Sequence, residues 1–332
     1  MENIKHYFLS ANSYAGFYNN YKYLNSKTSS GFTFILKGGP GTGKSTMLKT
    51  IGKHFVSSGY KVEYFHCSSD PQSLDGIRLV DFNISVVDGT APHTMNTNVP
   101  LIDSKIVNLE QFVNDDVASY TTKINHYLQK KKEHYALAYR YLKIAGELYK
   151  IQILENINEN EIKRQTRKLL KIIKLTARKK HGEIREMFLS ATGYEENFIK
   201  HNNYQQIIYL NLPPLLGSKV LKNLSNEISK KGYDITTIFS PLVQDLQEGV
   251  VINIRNTLLI LKKTSLPILP CFKHYEISEE LLNNAKENLL KAKENHKKVE
   301  KYYIKNLNIK GLTQTTKKLI AEIEQKITSN KF

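Results

Sequence analysis

Short apolar runs alternate with helix-period stretches along this chain. Phe32–Lys37 is a run of β-forming residues that stops at Gly38. Lys44–Ser57 places Met47, Leu48, Ile51 and Phe55 on one helical face and stops at Gly59. Lys61–Cys67 reads as the next strand, then a loop, then a third strand, Asn83–Val87, ending at Asp88-Gly89. The same order returns later as Ile207–Asn211, a helix over Lys219–Lys231, and strands at Ile235–Phe239 and Asn256–Leu261. Strands alternating with a helix predict a parallel α/β sheet.

Each of these regions is followed by a polar segment of different rhythm. Leu128, Tyr135, Leu142 and Tyr149 lie seven apart. Leu282, Ala285, Leu289, Ala292, His296, Val299 and Tyr303 follow a 3-4 spacing. Such narrow stripes suit a helical hairpin or coiled coil. A second helix is expected after each, over Ile162–Arg178 and, beyond Gly311, over Leu312–Ile327.

Self-comparison shows why the rhythm repeats. Phe8-Leu-Ser-Ala-Asn12 returns as Phe188-Leu-Ser-Ala-Thr192, and Ser58-Gly-Tyr-Lys61 returns, at nearly the same offset, as Lys231-Gly-Tyr-Asp234. Between these anchors Met47-Leu-Lys-Thr-Ile51 lies over Val220-Leu-Lys-Asn-Leu224, and Asp75-Gly-Ile77 over Glu248-Gly-Val250. The expected architecture is α/β, with two P-loop-NTPase-like parallel-sheet halves, each carrying an appended helical hairpin. The expected domains are residues 1–180, with an arm from about 105 to 180, and 181–332, with an arm from about 276 to 330.

Composition narrows the class. The 332 residues are 40% hydrophobic and 24% charged, which excludes a disordered chain. Two cysteines, Cys67 and Cys271, cannot build a disulfide framework. The sequence has neither a signal-peptide core nor an apolar stretch of membrane-spanning length, so a cytoplasmic location is expected. Lys+Arg 48 against Asp+Glu 31 leaves a net charge of +17. The excess is densest at Lys163, Arg164, Arg167, Lys168, Lys171, Lys174, Arg178, Lys179 and Lys180. Such a stripe either neutralises phosphates of a nucleic acid or is simply a solvated helix face, and in a Lys-rich chain the solvated face is the default.

The sharpest chemistry is the run Gly38, Gly39, Pro40, Gly41, Thr42, Gly43, Lys44, Ser45 and Thr46, which satisfies G-x-x-x-x-G-K-[ST] between a strand and a helix. Glycines let backbone amides approach phosphate oxygens without a Cβ clash, and the following helix adds unpaired N–H groups. Lys44 reaches the β- and γ-phosphates of ATP, and the Ser45 hydroxyl is a ligand for Mg²⁺. Asp88, at the carboxyl end of an apolar strand, is the candidate second Mg²⁺ ligand; the alternative is a turn aspartate.

Gly89, not glutamate, follows Asp88. Asp70, Asp75, Thr90 and His93 are therefore candidates to position a nucleophile, with Asp70 foremost. Arg140, and less so Arg78, could stabilise γ-phosphate charge, against a default of surface salt bridging. His66, Cys67 and His93 lack metal-ligand spacing and read as a packed cysteine with loop histidines. In the second copy the aligned segment is Asn211-Leu-Pro-Pro-Leu-Leu-Gly-Ser218, and Leu261 stands where Asp88 stands. Prolines and leucines there remove amide donors and close approach, so Mg–triphosphate binding is not expected in that half.

Several of these residues together resemble a family of bacterial tandem P-loop NTPases whose members usually carry only a general ATPase label or no assigned function. The likeness rests on His6-Tyr-Phe8 with Ala11-Asn12, Gly38–Thr46, Gly59-Tyr60, Phe65-His-Cys-Ser-Ser-Asp-Pro71, Ser73-Leu-Asp-Gly76, Asp88-Gly-Thr-Ala-Pro-His93 and Tyr139-Arg-Tyr-Leu142. It covers the first half well and the second loosely. It implies ATP binding. Family members often keep a second phosphate loop, and this chain departs there. The expectation is a Mg–ATP-binding NTPase with slow or partner-stimulated hydrolysis and a structural or regulatory second half. A small-molecule or nucleotide kinase, and a nucleotide-gated nucleic-acid binder, stay open. A protein partner or self-association through the helical arms is the expected further contact.

Overall fold

The structure is a computed structural model and describes residues 4–27, 30–92, 94–97, 99–153, 157–178, 180–192, 198–199, 201–262 and 274–329. In chain order, β1 (Ile4–Phe8) precedes a hairpin of β2 (Ser10–Ser13) and β3 (Gly16–Asn19). Then β4 (Phe32–Lys37) leads through the glycine loop into α1 (Lys44–Ser57), followed by β5 (Val62–Cys67), β6 (Asp70–Leu79), β7 (Ile84–Asp88) and β8 (Ser104–Asn108). Two helices come next, α2 (Thr121–Gln152) and α3 (Glu159–Ile173). The remainder is β9 (Ile184–Met187), β10 (Gln206–Leu210), α4 (Pro214–Lys230), β11 (Ile235–Phe239), β12 (Gln247–Ile252), β13 (Thr257–Leu261), α5 (His274–Lys305) and α6 (Ile309–Ser329).

One sheet has the order β1-β5-β6-β7-β4-β8, and a second has the order β10-β13-β12-β11-β9. In the first, β4 runs parallel to β7 and β8, whereas β6 is antiparallel to β5 and β7. In the second, β10 is parallel to β13 and β9 to β11, and β12 is antiparallel to both neighbours. The fold is thus mixed α/β, with parallel pairs and an antiparallel strand inside each sheet. Residues 70–79, expected as a loop, are that antiparallel strand in the first sheet. The segment opens with Asp70-Pro-Gln-Ser73, turn-forming residues, and β5 bulges opposite it at His66 and Cys67. Residues 104–108, expected inside a helical arm, form edge strand β8.

The chain divides into two compact units that differ from a single cut at residue 180. One holds Met1–Tyr7, Leu24–Ala138 and Glu287–Phe332; the other holds Phe8–Tyr23 and Tyr139–Lys286. The physical reason lies in the tail helices. Leu312, Leu319, Ile323 and Ile327 of α6 are buried in the core of the first unit with Leu48, Ile51 and Phe55 of α1. Ile162, Leu169 and Ile173 of α3 are buried in the second unit with Val220, Leu221 and Leu224 of α4. Each such side chain contributes about 1.5–3 kcal/mol of burial. The expected hairpins, each on its own half, are therefore replaced: α6, last in sequence, completes the core nearest the N-terminus, and α3 completes the later one.

Within the first unit, the start of α2 lies beside the end of α5. Tyr120 and Tyr302 have ring centroids 4.9 Å apart, the Lys298 ammonium sits 5.3 Å from the Tyr127 ring, and His134 Nδ1 is 3.0 Å from Asn288 Oδ1. The α3 lysines and arginines occupy its exposed face, opposite its buried stripe. There Arg164 pairs with Glu161 at 2.7 Å, and beyond the helix Arg178 stacks over the Tyr233 ring at 4.3 Å. No helix among the described residues is long and apolar enough to cross a membrane.

Candidate functional site at the glycine loop of the first unit

The loop after β4 has the backbone the motif requires. Gly41 and Gly43 have φ of 75° and 86°, in the left-handed region that favours glycine. Gly43 caps α1 without any side-chain hydrogen bond, and the first turn of α1 carries no acidic residue. The amides of that helix start are thus left to an outside acceptor, and the helix dipole favours an anion there.

Strand pairing delivers the other groups. β7 lies parallel beside β4 with Asp88 opposite Leu36, so Asp88 leaves the sheet beside the loop that starts at Gly38. Its Oδ2 is 3.7 Å from Lys44 Nζ, and both side chains are largely buried. Its Oδ1 accepts the Thr90 N–H at 2.8 Å and the Thr90 hydroxyl. Lys37 fixes the segment beyond by donating to the Gly89 and Met95 carbonyls at 2.6 and 2.7 Å. Lys44 Nζ also donates to the carbonyls of Gly38 and, at 2.8 Å, Gly39. Thr42 ties the loop by donating to the Gly39 carbonyl at 2.8 Å. Ser45 Oγ accepts the Leu74 N–H at 3.0 Å, which positions the hydroxyl and leaves its second lone pair for a cation.

The remaining candidates separate. Asp70 opens β6, where it pairs with Lys293 of α5 at 2.9 Å and accepts from Ser73 at 3.3 Å. Asp75 is buried on β6 beside Cys67; burial first, and then the Asp75 charge, push the Cys67 thiol well up. Arg78 is not a phosphate ligand in waiting: it is buried on β6, bonded to Glu63 at 3.2 Å and Asn83 at 3.0 Å. Arg140 is exposed on α2 within the other unit. His66 Nε2 lies 2.9 Å from His6 Nδ1, and among the described residues no group of three or more His, Cys, Asp or Glu could hold a metal ion. His93 and Cys271 lie outside the described residues. Position 89 has no room for a side chain unless Ile35 shifts, because a Cβ on Gly89 would run into Ile35 Cγ2.

Sequence reasoning missed that α5 comes to this loop. A Cβ on Gly39 would lie 3.3 Å from the Tyr303 ring, and one on Gly41 would lie 2.7 Å from the Glu300 carbonyl oxygen. Leu312 of α6 packs on Gly43. One turn before Glu300 on α5, His296 Nε2 is 3.6 Å from Glu300 Oε1, and His296 Nδ1 is 3.3 Å from Lys131 Nζ of α2. Burial holds the Lys131 ammonium below its usual range, and the Lys44 charge adds to this against Cys67 and Glu300. Burial, with Lys131 and Lys44, holds the His296 imidazole down to about 4, against Asp70. Burial and the Asp70 charge push the Glu300 carboxyl up, against Lys297, Lys44 and Lys131. The available signal was the pair of polar residues, Lys131 and His296, placed at heptad positions where neighbouring turns carry Ile124, Ala138 and Leu289.

A strand–glycine loop–helix with lysine, hydroxyl and carboxylate in this arrangement can hold a polyphosphate with a divalent cation. The family described as Nephrocystin 3, N-terminal, matches residues 13–79, about a fifth of the chain, which includes the loop and β4 to β6. Neither the curated proteins nor the solved structures include a match to this chain.

Proposed function

We propose that this protein binds Mg–ATP at Gly38–Thr46 and hydrolyses it slowly or on stimulation by a partner, with the second half in a structural or regulatory role. The observation that carries the reading is the uncapped start of α1, entered through left-handed Gly41 and Gly43, with Lys44 and Asp88 converging on it at 3.7 Å. In this reading the loop amides cradle the phosphates, and Lys44 exchanges the Gly38 and Gly39 carbonyls for phosphate oxygens. The Ser45 hydroxyl and Asp88 carboxylate would hold Mg²⁺. The ion, when bound, supplies neutralisation of charge on the β- and γ-phosphates.

The two halves, in the same reading, are copies of one P-loop-like unit. Several pairs at corresponding positions support it. Gly59 and Gly232 share φ of 86°, and Asn83 and Asn256 have φ of 53° and 45°. Ser45 accepts the Leu74 N–H as Ser218 accepts the Gln247 N–H at 2.8 Å. The order β1-β5-β6-β7-β4 in one sheet corresponds to β9-β11-β12-β13-β10 in the other. Phe8 and its counterpart Phe188 exchange backbone hydrogen bonds of 2.9 and 3.0 Å.

The test is phosphate release from ATP by purified protein with and without Mg²⁺, repeated with candidate acceptors and nucleic acids. Slow, Mg²⁺-dependent release that Lys44→Ala removes is expected. Release that requires an added acceptor would transfer the site to a kinase, and release unchanged in Lys44→Ala would end the proposal.

A further inference from the structure

We propose that Lys131 of α2 and His296 of α5 are the terminal-phosphate contacts of this site, so that two long helices outside the sheet distinguish a nucleoside triphosphate from a diphosphate. The inference rests on the phosphate-loop reading above and adds its third phosphate.

The two residues sit where a helix pair would ordinarily be apolar. Ile124, Lys131 and Ala138 are seven apart on α2, and Leu289, His296 and Tyr303 are seven apart on α5. Ala292 and Val299 on α5 are fully buried, as are Ala138 and, nearly so, Ile124 on α2. The Lys131 ammonium donates to the neutral His296 Nδ1 at 3.3 Å, which leaves a partly desolvated positive charge in the seam with no counter-charge from the imidazole. Among the described residues, Lys131 has no carboxylate in ion-pair contact, while Asp70 is already taken by Lys293 at 2.9 Å. Lys44, itself held by Asp88, adds its charge to that felt by both Lys131 and His296. The result is two ammonium groups, Lys131 and Lys44, acting on one neutral imidazole near the proposed phosphate cradle, against the carboxylates of Asp70 and Glu300. Both seam residues are only half-buried, so an anion can reach them.

Geometry ties the cluster to the loop. The Glu300 backbone rests on Gly41 and the Tyr303 ring on Gly39, and His296 lies one turn earlier on the same helix. A diphosphate reaching the loop amides and Lys44 has no need of the helices. A third phosphate, carrying the extra charge, reaches the Lys131–His296 pair. It also reverses the electrostatics that keep His296 neutral. The charged groups facing that imidazole are Lys131 on α2, Lys44 at the start of α1, Asp70 on β6 and Glu300 on α5.

Competition binding of ATP and ADP against a fluorescent ADP, with Mg²⁺ present, tests this in the full chain. Wild type should prefer ATP. Lys131→Met should weaken ATP about tenfold or more, the scale of a charged hydrogen bond, and change ADP less than about twofold. Its melting temperature should not fall, since a seam charge is replaced by an apolar chain of similar length. Calorimetry at pH 7 in two buffers of different ionisation enthalpy should show more proton uptake on ATP binding by wild type than by His296→Gln. An unchanged ATP-to-ADP preference in Lys131→Met, or equal proton uptake in wild type and His296→Gln, overturns this inference while leaving the loop reading intact. Wild type that binds neither nucleotide overturns both.

Discussion

Positions 44 and 88 hold Lys44 and Asp88, 3.7 Å apart and largely buried. In the repeat proposed above, the positions at one shared offset are Gly217 and Leu261, and the leucine side chain fills the space where a Cβ on residue 217 would go. An ion pair stands at the first pair of positions and an apolar contact at the second. The backbone changes with it. α1 begins at Lys44, after a loop, whereas α4 begins at Pro214, the counterpart of Gly41, so the helix has absorbed half of the loop. Pro213 and Pro214 remove two of the amides an anion would use, and the Gly217 N–H is spent on the Pro213 carbonyl at 2.7 Å. Leu212, Leu216 and Leu261 pack on the second core. The lesson, on the proposed reading, is that an anion site needs groups left unpaired, and that the same positions, paired internally, become core.

Exchanging the two pairs gives the largest effect. Lys44→Met with Asp88→Leu should cost about 1–3 kcal/mol, because the charges go together but the Thr90 N–H and hydroxyl lose their acceptor, and should remove nucleotide binding. Gly217→Lys with Leu261→Asp should cost more than about 3 kcal/mol and gain no nucleotide, because charges are forced into an apolar contact with no vacant amides nearby. Denaturant titrations and nucleotide-binding isotherms on both double variants check this. Equal stability costs in the two halves would break the comparison.

Next in size are the exchanged tail helices. Leu319→Ala in α6 and Leu169→Ala in α3 should each cost about 2–4 kcal/mol in urea unfolding, since both side chains are buried against the helix that follows the glycine loop or its counterpart. A cost near zero for Leu319→Ala would mean that α6 is dispensable to the first core.

Smaller again is the contrast between glycines. Gly41→Ala should destabilise by about 1–3 kcal/mol, since φ is 75° and the Glu300 carbonyl stands in the way. Gly217→Ala sits inside α4 and meets only the flexible end of Leu261, so helix propensity offsets the contact and the change should stay within about 1 kcal/mol. Thermal melts of the two variants side by side decide it.

Last comes a pH dependence, discounted for solvent screening because the His296 side chain is more than a third exposed. The folded protein holds His296 down to about 4, so the unfolded chain binds the proton first as pH falls below about 6.5. Stability from this residue is fully present above that value and is lost as pH falls toward 4. Wild type should therefore lose more stability than His296→Gln between pH 7 and 4, measured by urea midpoints at each pH. Parallel curves would show that neither burial nor the charges of Lys131 and Lys44 hold the imidazole down.

Much of this was readable from the chain. The expected Phe32–Lys37 strand and Lys44–Ser57 helix coincide with β4 and α1, because a glycine loop delimits both ends of the turn. The later strands β10, β11 and β13 were also legible, although β9 and β12 were not read and α4 starts five residues before the expected Lys219. The antiparallel β6 was not, since its first half is made of turn-forming residues and a bulged partner supplies its pairing. The destination of α3 and α6 was hidden for a different reason. Their stripes say that a core is needed but not which one, and both cores present similar helices. Asn158 and Asn308, Thr166 and Thr316, Leu169 and Leu319, pairs at one constant offset, show how alike the two helices are. The candidate site was half legible: the loop and Asp88 follow from local pattern, whereas Lys131, His296 and Glu300 reach it only through the long-range packing of α2 and α5.

Nucleotide stoichiometry by equilibrium titration with Mg–ATP addresses the central claim most directly. One ATP per wild-type chain and none per Lys44→Ala chain is the predicted result. Two per chain, or one that survives Lys44→Ala, would contradict the account.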